Sequence, residues 1–341
     1  EWRGVPLRNR PETRAFVKER RARVYERDAH HEIAIRYDLK FDDPTDMARH
    51  PFREIRDLFS EADVAFVNLE TPLSEDARYS GAFRTPPEFA DGLRWAGIDV
   101  VSTANNHALD AEGEGLRDTR RALFQAGIGA VGTGGDLAAA RRPHVVETRG
   151  IRIAFLAYAQ AVNKGPSAFA QTDRSGVAPL DPMLIEEDIA RIRDQVDWVV
   201  VSFHWGLHNS HRTHPEARRI AHRTIDAGAD VILGHHSHLP KAVERYGGGV
   251  IFYSLGNMIF GHNHDYWGDN IVADIRLTAE ELRSIRVIPV AGEANEAAQP
   301  YVLDAKQGRA ILHTVDSLSA EFGTAVRIEE GVGRVLQGKM R

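Results

Sequence analysis

Short apolar runs alternate with longer segments of helical periodicity from about residue 31 to residue 260. The short runs are rich in Val, Ile and Phe, whereas the longer segments repeat apolar residues every three or four positions. Strands separated by helices of this length predict a largely parallel sheet covered by helices. The predicted strands are Glu32–Leu39, Asp63–Asn68, Asp99–Thr103, Ile151–Tyr158, Asp197–Phe203, Asp230–Leu233 and Val250–Ser254. The predicted helices are Pro51–Ser60, Pro87–Ala96, Glu112–Ala126, Pro182–Gln195 and Pro215–Ala227.

The pattern differs at the two ends of the chain. Residues 1–31 are rich in Arg and Glu, which predicts an N-terminal basic helical arm with a helix over Glu12–Asp28. We expect one main domain over residues 32–290 and a small C-terminal α+β appendage over residues 291–341, packed on the main domain. The C-terminal pattern predicts antiparallel strands at Ile271–Leu277 and Ser284–Val290, a helix at Asp304–Phe322 and a strand at Thr324–Ile328.

Composition narrows the class of protein. The 341 residues are 43% hydrophobic and carry a formal net charge of −6, which argues against a disordered chain and against non-specific nucleic-acid binding. Because cysteine is absent, a metal ion must be held by nitrogen and oxygen ligands. No apolar run reaches the roughly 18–20 residues of a membrane span. We therefore expect a cytoplasmic or otherwise soluble protein, although a chain that starts at Glu1 without Met leaves a removed leader open. The oligomeric state stays open.

Histidines are concentrated in one part of the chain. Of the 16 histidines, ten lie between His204 and His264, where an even spread would place about three. A polar surface loop is one explanation, and a site for metal binding or proton transfer is the other. The second is favoured because these histidines are interleaved with apolar strands.

Four predicted strands begin with Asp and end in residues that bind metals. Because the carboxyl ends of parallel strands meet at one edge of a sheet, the four ends predict one convergent site. Each motif alone has a plain structural explanation, such as a turn, a loop or a core histidine. His236 and His238 are expected to point the same way in extended backbone. The four ends are Asn68-Leu69-Glu70, Asn105-Asn106-His107, His204-Trp205-Gly206 and His235-His236-Ser237-His238.

These blocks, followed by Ser254-Leu255-Gly256-Asn257, resemble the signature of the CapA (PgsA) family, named for poly-γ-glutamate capsule synthesis. That family is similar to the calcineurin-like metallophosphoesterases. The resemblance covers about residues 33–290 and implies a metallophosphatase-like four-layer α/β/β/α sandwich with a two-metal centre. It implies His107 as the catalytic proton donor. The implied metal ligands are Asp38, Glu70, Asn106, His204, His236 and His238.

Two positions depart from the family pattern. Tyr37 stands where the family usually has Gly before its first ligand, and His208 stands where it usually has an acidic residue. The predicted substrate side offers neutral donors and aromatic surface. His235 is either an alternate ligand or a residue that orients one. The predicted substrate-binding residues are Asn68, Asn105, His208, His235, Asn257, His262, His264 and Trp267.

The expected activity is hydrolysis of an amide, γ-glutamyl or peptide-like substrate by a hydroxide bound to two divalent ions, which are Mn, Fe or Zn. Phosphate substrates usually meet Arg or Lys, and the strand ends contain neither. The nearest basic candidates are Lys164 and Arg212. Two alternatives remain open: a phosphoesterase of the calcineurin-like type, and a non-catalytic binding protein of capsule or polyglutamate assembly.

Overall fold

The computed structural model describes residue 41 and residues 43–75, 83–259, 269–291 and 299–337. The predicted N-terminal arm, the predicted strand at residues 32–39 and the histidine-rich loop at residues 262–267 lie outside the described residues.

Eight α-helices and fifteen strands are described. The helices are α1 (Pro44–Arg49), α2 (Arg56–Ser60), α3 (Phe89–Ala96), α4 (Glu112–Gln125), α5 (Leu137–Ala140), α6 (Pro182–Ile192), α7 (Pro215–Asp226) and α8 (Arg309–Ala320). The strands are β1 (Phe66–Asn68), β2 (Val100–Ser102), β3 (Gly129–Val131), β4 (Thr133–Gly134), β5 (His144–Thr148), β6 (Ile151–Ala159), β7 (Gly176–Val177), β8 (Trp198–His204), β9 (Val231–His235), β10 (Val243–Tyr246), β11 (Gly249–Phe252), β12 (Asn270–Leu277), β13 (Leu282–Val290), β14 (Thr324–Glu329) and β15 (Val332–Gln337).

The described strands form three larger sheets and one two-stranded antiparallel sheet of β4 and β7. The first sheet has the order β1-β2-β3 and is parallel. The second has the order β10-β11-β9-β8-β6-β5, in which the four inner strands are parallel and the two edge strands run antiparallel to their neighbours. The third has the order β12-β13-β15-β14 and is antiparallel. The predicted largely parallel core is therefore confirmed.

Apolar packing arranges these elements in layers. The inner faces of the first two sheets share one core, in which Phe66 and Phe155 stack with ring centroids 5.6 Å apart. The outer face of the first sheet packs on helices through residues such as Leu93 of α3. The outer face of the second sheet packs on α6 and α7 through residues such as Ile189. This helix–sheet–sheet–helix order confirms the predicted α/β/β/α sandwich.

The Asp residues that begin three of the predicted strands connect neighbouring strands. Each carboxylate accepts a backbone hydrogen bond from the neighbouring strand, which ties the two strand starts together. Asp99, Asp197 and Asp230 accept from the amides of Ala65, Arg152 and Val199 at 2.9, 2.7 and 2.7 Å. These carboxylates lie at the amino ends of the strands, whereas the predicted site residues follow the carboxyl ends at the opposite edge of the sheet.

The predicted helix over Pro51–Ser60 is wrong in its first half. A helix begins earlier, at Pro44, where the side chain of Asp43 accepts a hydrogen bond from the Thr45 amide at 2.7 Å. Pro51 has no amide hydrogen to continue that helix, so residues 50–52 form a 3₁₀ turn. A new α-helix starts only at Arg56.

The C-terminal pattern is close to the predicted one. The antiparallel pair β12 and β13, the helix α8 and the strand β14 are all present, whereas β15 was not predicted. Because β15 pairs with both β13 and β14, the third sheet contains strands from both sides of residue 290. The domain boundary placed there stays a prediction.

Candidate metal centre

Three side chains from separate strand ends converge at one edge of the sheets. Glu70 follows β1, His204 ends β8 and His236 follows β9. One ligand atom from each lies within 4.8 Å of the others, and among the described residues this is the group suited to hold a metal ion. His204 Nε2 is 2.9 Å from His236 Nδ1 and 3.6 Å from Glu70 Oε1. The convergence predicted from the parallel strands is therefore present for these three residues.

Asn106 adds an oxygen to this cluster. It follows β2, and its side-chain oxygen lies 2.7 Å from His204 Nε2. Its amide nitrogen donates to the side-chain oxygen of Asn163 at 3.1 Å, which holds the amide with its oxygen towards the cluster. Asn163 lies in the loop after β6, and the sequence carried no signal for this contact.

The electrostatics of the cluster suit a bound cation. Glu70 Oε1 and His204 Nδ1 are buried without a hydrogen-bond partner. Burial raises the pKa of Glu70 to about 8, against the hydrogen bond from Asn68. Burial also lowers the pKa of His236 to about 3 and that of His204 well below its usual range, so both imidazoles are neutral and have a lone pair for a cation.

The donor set is a carboxylate oxygen, an amide oxygen and two imidazole nitrogens. This combination suits Mn²⁺, Fe²⁺ or Zn²⁺ and contains no thiolate. A divalent cation would offset the free-energy cost of an ionised Glu70 in this buried place, because among the described residues its nearest basic neighbour is the uncharged His204. The residues present fit such an ion.

The backbone that carries the histidine pair differs from the expected one. β9 ends at His235, and His236 and His238 have φ angles of 92° and 60°. The prediction of extended backbone is therefore wrong, because both residues lie in the left-handed region that non-glycine residues rarely adopt. The Ser237 hydroxyl bonds within this turn and to Ser254, which holds the turn in place. His238 consequently faces a different partner, Asn257, with Nδ1 and Oδ1 3.0 Å apart.

His208 lies beside both members of the pair. Its ring centroid is 4.0 Å from that of His236 and 5.3 Å from that of His238. Burial, together with the charge of His107, lowers its pKa. The structure thus places the residue that departs from the family pattern directly against two of the predicted ligands.

His107 is held by a carboxylate that sequence reasoning missed. Its Nδ1 lies 2.7 Å from Oδ2 of Asp110, and Asp110 is only 8% exposed. An ionised carboxylate can only accept, so Nδ1 carries the hydrogen and Nε2 is left as the reactive nitrogen. The spacing of three residues between a histidine and an aspartate was the signal that could have identified this pair.

Asn68 and Asn105, predicted to bind substrate, contact the segment that carries Glu70. The Asn68 amide donates to Glu70 Oε2 at 3.0 Å, and the Asn105 amide donates to the Leu69 carbonyl at 2.8 Å. Asn105 also accepts from the His107 amide at 3.1 Å. These bonds orient the Glu70 carboxylate and the backbone of His107, and substrate contact by the two asparagines stays a prediction.

The remaining predicted residues divide into two groups. His235 is buried, with Nε2 unpartnered, and burial lowers its pKa to about 4. Its role as an alternate ligand or an orienting residue stays a prediction. The other four lie outside the described residues, so their place in the site also stays a prediction: Asp38, His262, His264 and Trp267.

Comparison with known families gives the relationship of this chain. Residues 23–262 match the family described as bacterial capsule synthesis protein PGA_cap. The chain belongs to this family. The PGA biosynthesis protein CapA of Bacillus subtilis is 29% identical over 287 residues, which cover 82% of this chain and 74% of CapA. A probable polyglutamine synthesis accessory protein of Mycobacterium tuberculosis is 31% identical, over 77% of this chain and 74% of that protein.

Solved structures with a similar fold include the calcineurin-like phosphoesterase YfkN from Bacillus subtilis. It shares 12% sequence identity with this PGA_cap chain and has a TM-score of 0.35, over 64% of this chain and 65% of that one.

Within the described ranges, no helix combines the length and the apolar composition that a bilayer span requires.

Proposed function

We propose that this PGA_cap protein is a metal-dependent hydrolase that cleaves an amide bond in a γ-glutamyl or peptide-like substrate. The observation that carries the proposal is the cluster of Glu70, His204 and His236 beside the His107–Asp110 pair. The names of the relatives, which refer to PGA biosynthesis and polyglutamine synthesis, are consistent with a substrate of linked glutamate units.

The proposed metal centre has two ions, with Mn, Fe and Zn as candidates. Glu70, Asn106, His204 and His236 would hold the first ion, since their ligand atoms already face one another. The second ion would use His238 together with Asp38. Divalent cations at this place would supply Lewis acidity towards a carbonyl group and an attacking water.

His107 would donate the proton that the leaving nitrogen requires. Its Nδ1–H is held by Asp110, so Nε2 is the atom that delivers the proton. The carboxylate of Asp110 would fix the tautomer and the orientation of the ring.

An amide is favoured over a phosphoester because the described side chains of the cluster are carboxylate, amide and imidazole groups without arginine. A phosphoryl group usually meets bidentate arginines, which stabilise its charge. The phosphoesterase alternative therefore enters the test as a competing outcome.

A paired assay tests the proposal. Untagged protein is purified, its metal content is measured, and turnover of γ-glutamyl-p-nitroanilide and of p-nitrophenyl phosphate is compared. We expect bound divalent metal and metal-dependent release of p-nitroaniline, both lost in His236→Ala and both kept in His313→Ala, an exposed control on α8. Turnover of the phosphoester alone would favour the phosphoesterase. Metal binding without turnover of either compound would favour a non-catalytic accessory protein.

A further inference from the structure

Lys241 is a buried cation that the proposed mechanism does not use. Its backbone amide donates to the Ser254 carbonyl at 3.0 Å, and the residue is only 4% exposed. Its ammonium group has neither a hydrogen bond nor an ion pair within the part of the chain that the structure describes. Lysine is almost never this buried without a partner, so the position needs an explanation.

The ammonium group lies beside the loop that follows β8. Lys241 Nζ is 3.3 Å from the position that a Cβ atom on Gly206 would take. Gly206 has a φ of 85° and lies in sequence between His204 and His208, whose ring centroids are 4.6 and 4.0 Å from that of His236. Lys241 therefore borders the space next to the candidate metal centre.

The charge of Lys241 acts on that centre. It is one of the groups that lower the pKa of His236, after burial and the neighbouring histidines. Desolvation lowers the pKa of Lys241 itself to about 8, so the group is still mostly protonated at neutral pH. A positive charge is thus kept in a largely buried place near the neutral His236, and no anion among the described residues pairs with it.

Another buried cation in the same fold is treated differently. Arg141, whose side chain is 10% exposed, bonds to both carboxylate oxygens of Asp188 at 2.8 Å and to Glu187 at 2.6 Å. The chain therefore supplies partners where a buried cation only supports the fold. The ammonium group of Lys241 has no such carboxylate partner among the described residues, so an anionic ligand could pair with it.

We infer that Lys241 binds a carboxylate group of the substrate, adjacent to the bond that is cleaved at the metal centre. The inference extends the proposed function, because it assigns the substrate a negative charge on the side of Gly206. A carboxylate is favoured over a phosphate because the ammonium group is a single point charge, with no arginine fork described beside it.

Equilibrium binding tests the inference without requiring turnover. Glutarate is titrated by calorimetry into the metal-loaded protein, its Lys241→Met variant and the control Lys306→Met, which removes an exposed lysine before α8. We expect binding to weaken at least tenfold in Lys241→Met only. We also expect the thermal midpoint of Lys241→Met without ligand to rise by about 2–4 °C, because an unpaired buried charge is removed.

A merely structural role would give the reverse signature. Unchanged glutarate affinity in Lys241→Met, or weaker binding accompanied by a lower thermal midpoint, would overturn the inference. Lys241-dependent binding of inorganic phosphate without binding of glutarate would overturn the choice of a carboxylate.

A kinetic arm separates this inference from the proposed function. With γ-glutamyl-p-nitroanilide, Lys241→Met should raise KM at least tenfold and change kcat by only a few fold. The α-methyl ester of the same compound should show no such rise. If no amide is hydrolysed while glutarate binding still depends on Lys241, the proposed hydrolase fails and the carboxylate subsite stands.

Discussion

Two buried glutamates show how this fold uses the same residue for different purposes. Glu244 in β10 is 2% exposed, and its carboxylate meets Arg218 Nη2 at 3.0 Å, His222 Nε2 at 3.1 Å and the Tyr253 hydroxyl at 2.6 Å. Among the described residues, Glu70 accepts a hydrogen bond from the Asn68 amide on one oxygen, and its other oxygen is buried without a hydrogen-bond partner. The first carboxylate is balanced by the protein, whereas the second is not.

The different partners of Glu244 and Glu70 distinguish a buried carboxylate that stabilises the fold from one that is available to a ligand. The partners of a balanced carboxylate offset the free-energy cost of burying its charge, and removing one partner destabilises the folded protein. An unbalanced carboxylate costs stability unless something outside the chain completes it, and Glu70 is accompanied by neutral imidazoles that point at the same place. Glu244 therefore serves the packing of α7 against the second sheet, and we assign Glu70 to ligand binding.

The Glu→Gln substitution, made separately at Glu70 and Glu244, should give the largest difference in metal affinity and turnover. Glu70→Gln removes a charged ligand, so we expect metal affinity to fall more than 100-fold and amide turnover to fall by about 10³-fold or more. Glu244→Gln should keep its metal. Metal per chain and turnover measured on both variants check this, and wild-type metal content in Glu70→Gln would remove Glu70 from the centre.

The second contrast lies between metal binding and proton transfer. His107→Gln should leave the metal content of the protein near normal and lower turnover by roughly 10²–10⁴-fold, the scale of a lost general acid. The measurement is steady-state kinetics on a preparation whose metal content is known. Loss of metal together with turnover would make His107 a ligand and contradict its assigned role.

The third contrast concerns stability. Glu244→Gln removes the charge that balances Arg218 and accepts from the buried Tyr253 hydroxyl, so we expect the free energy of unfolding to fall by about 2–4 kcal/mol. Glu70→Gln should not destabilise the metal-free protein at neutral pH, because burial raises the pKa of Glu70 to about 8 and Gln matches the uncharged, protonated side chain. Urea unfolding of both metal-free variants measures these free energies. An equal loss of unfolding free energy in the two variants would contradict the different roles given to Glu70 and Glu244.

The fourth and smallest effect is a pH dependence at Lys241. The pKa of this lysine is about 8 in the folded protein and near 10.5 in the unfolded chain. Between these values the unfolded chain holds the proton that the folded protein has lost, so stability rises with pH. We expect the free energy of unfolding, relative to Lys241→Met, to rise by about 2–3 kcal/mol from pH 8 to 10.5. A flat difference across this window would show that the ammonium is not desolvated.

Sequence patterns were sufficient where periodicity and strand direction fix positions. The alternation of strands and helices predicted the layered core, and parallel strands bring their carboxyl ends together, which predicted that Glu70, His204 and His236 converge. The α1–α2 region was wrong because Pro51 divides a segment whose apolar spacing looked continuous. Strands such as β10, with Glu244 and Arg245 in its short span, carry too little apolar signal to be identified.

The supporting residues of the site could not be predicted in the same way. Asn163 reaches Asn106 from a loop distant in sequence, and no local pattern reports such a contact. Lys241 belongs to a residue type that is usually exposed, so its burial depends on tertiary packing alone. The left-handed backbone at His236 and His238 departs from the preference of histidine and is imposed by the surrounding turn.

Thermal unfolding with and without Mn²⁺ tests the central claim that Glu70 marks a cation site. Protein freed of metal with a chelator is titrated with MnCl₂ while the thermal midpoint is recorded for wild type, Glu70→Gln and Glu244→Gln. A ligand that binds only the folded state raises the midpoint in a saturable way. We predict such a rise for wild type and Glu244→Gln, and none for Glu70→Gln. No saturable rise in the wild type, or an equal rise in Glu70→Gln, would contradict the claim.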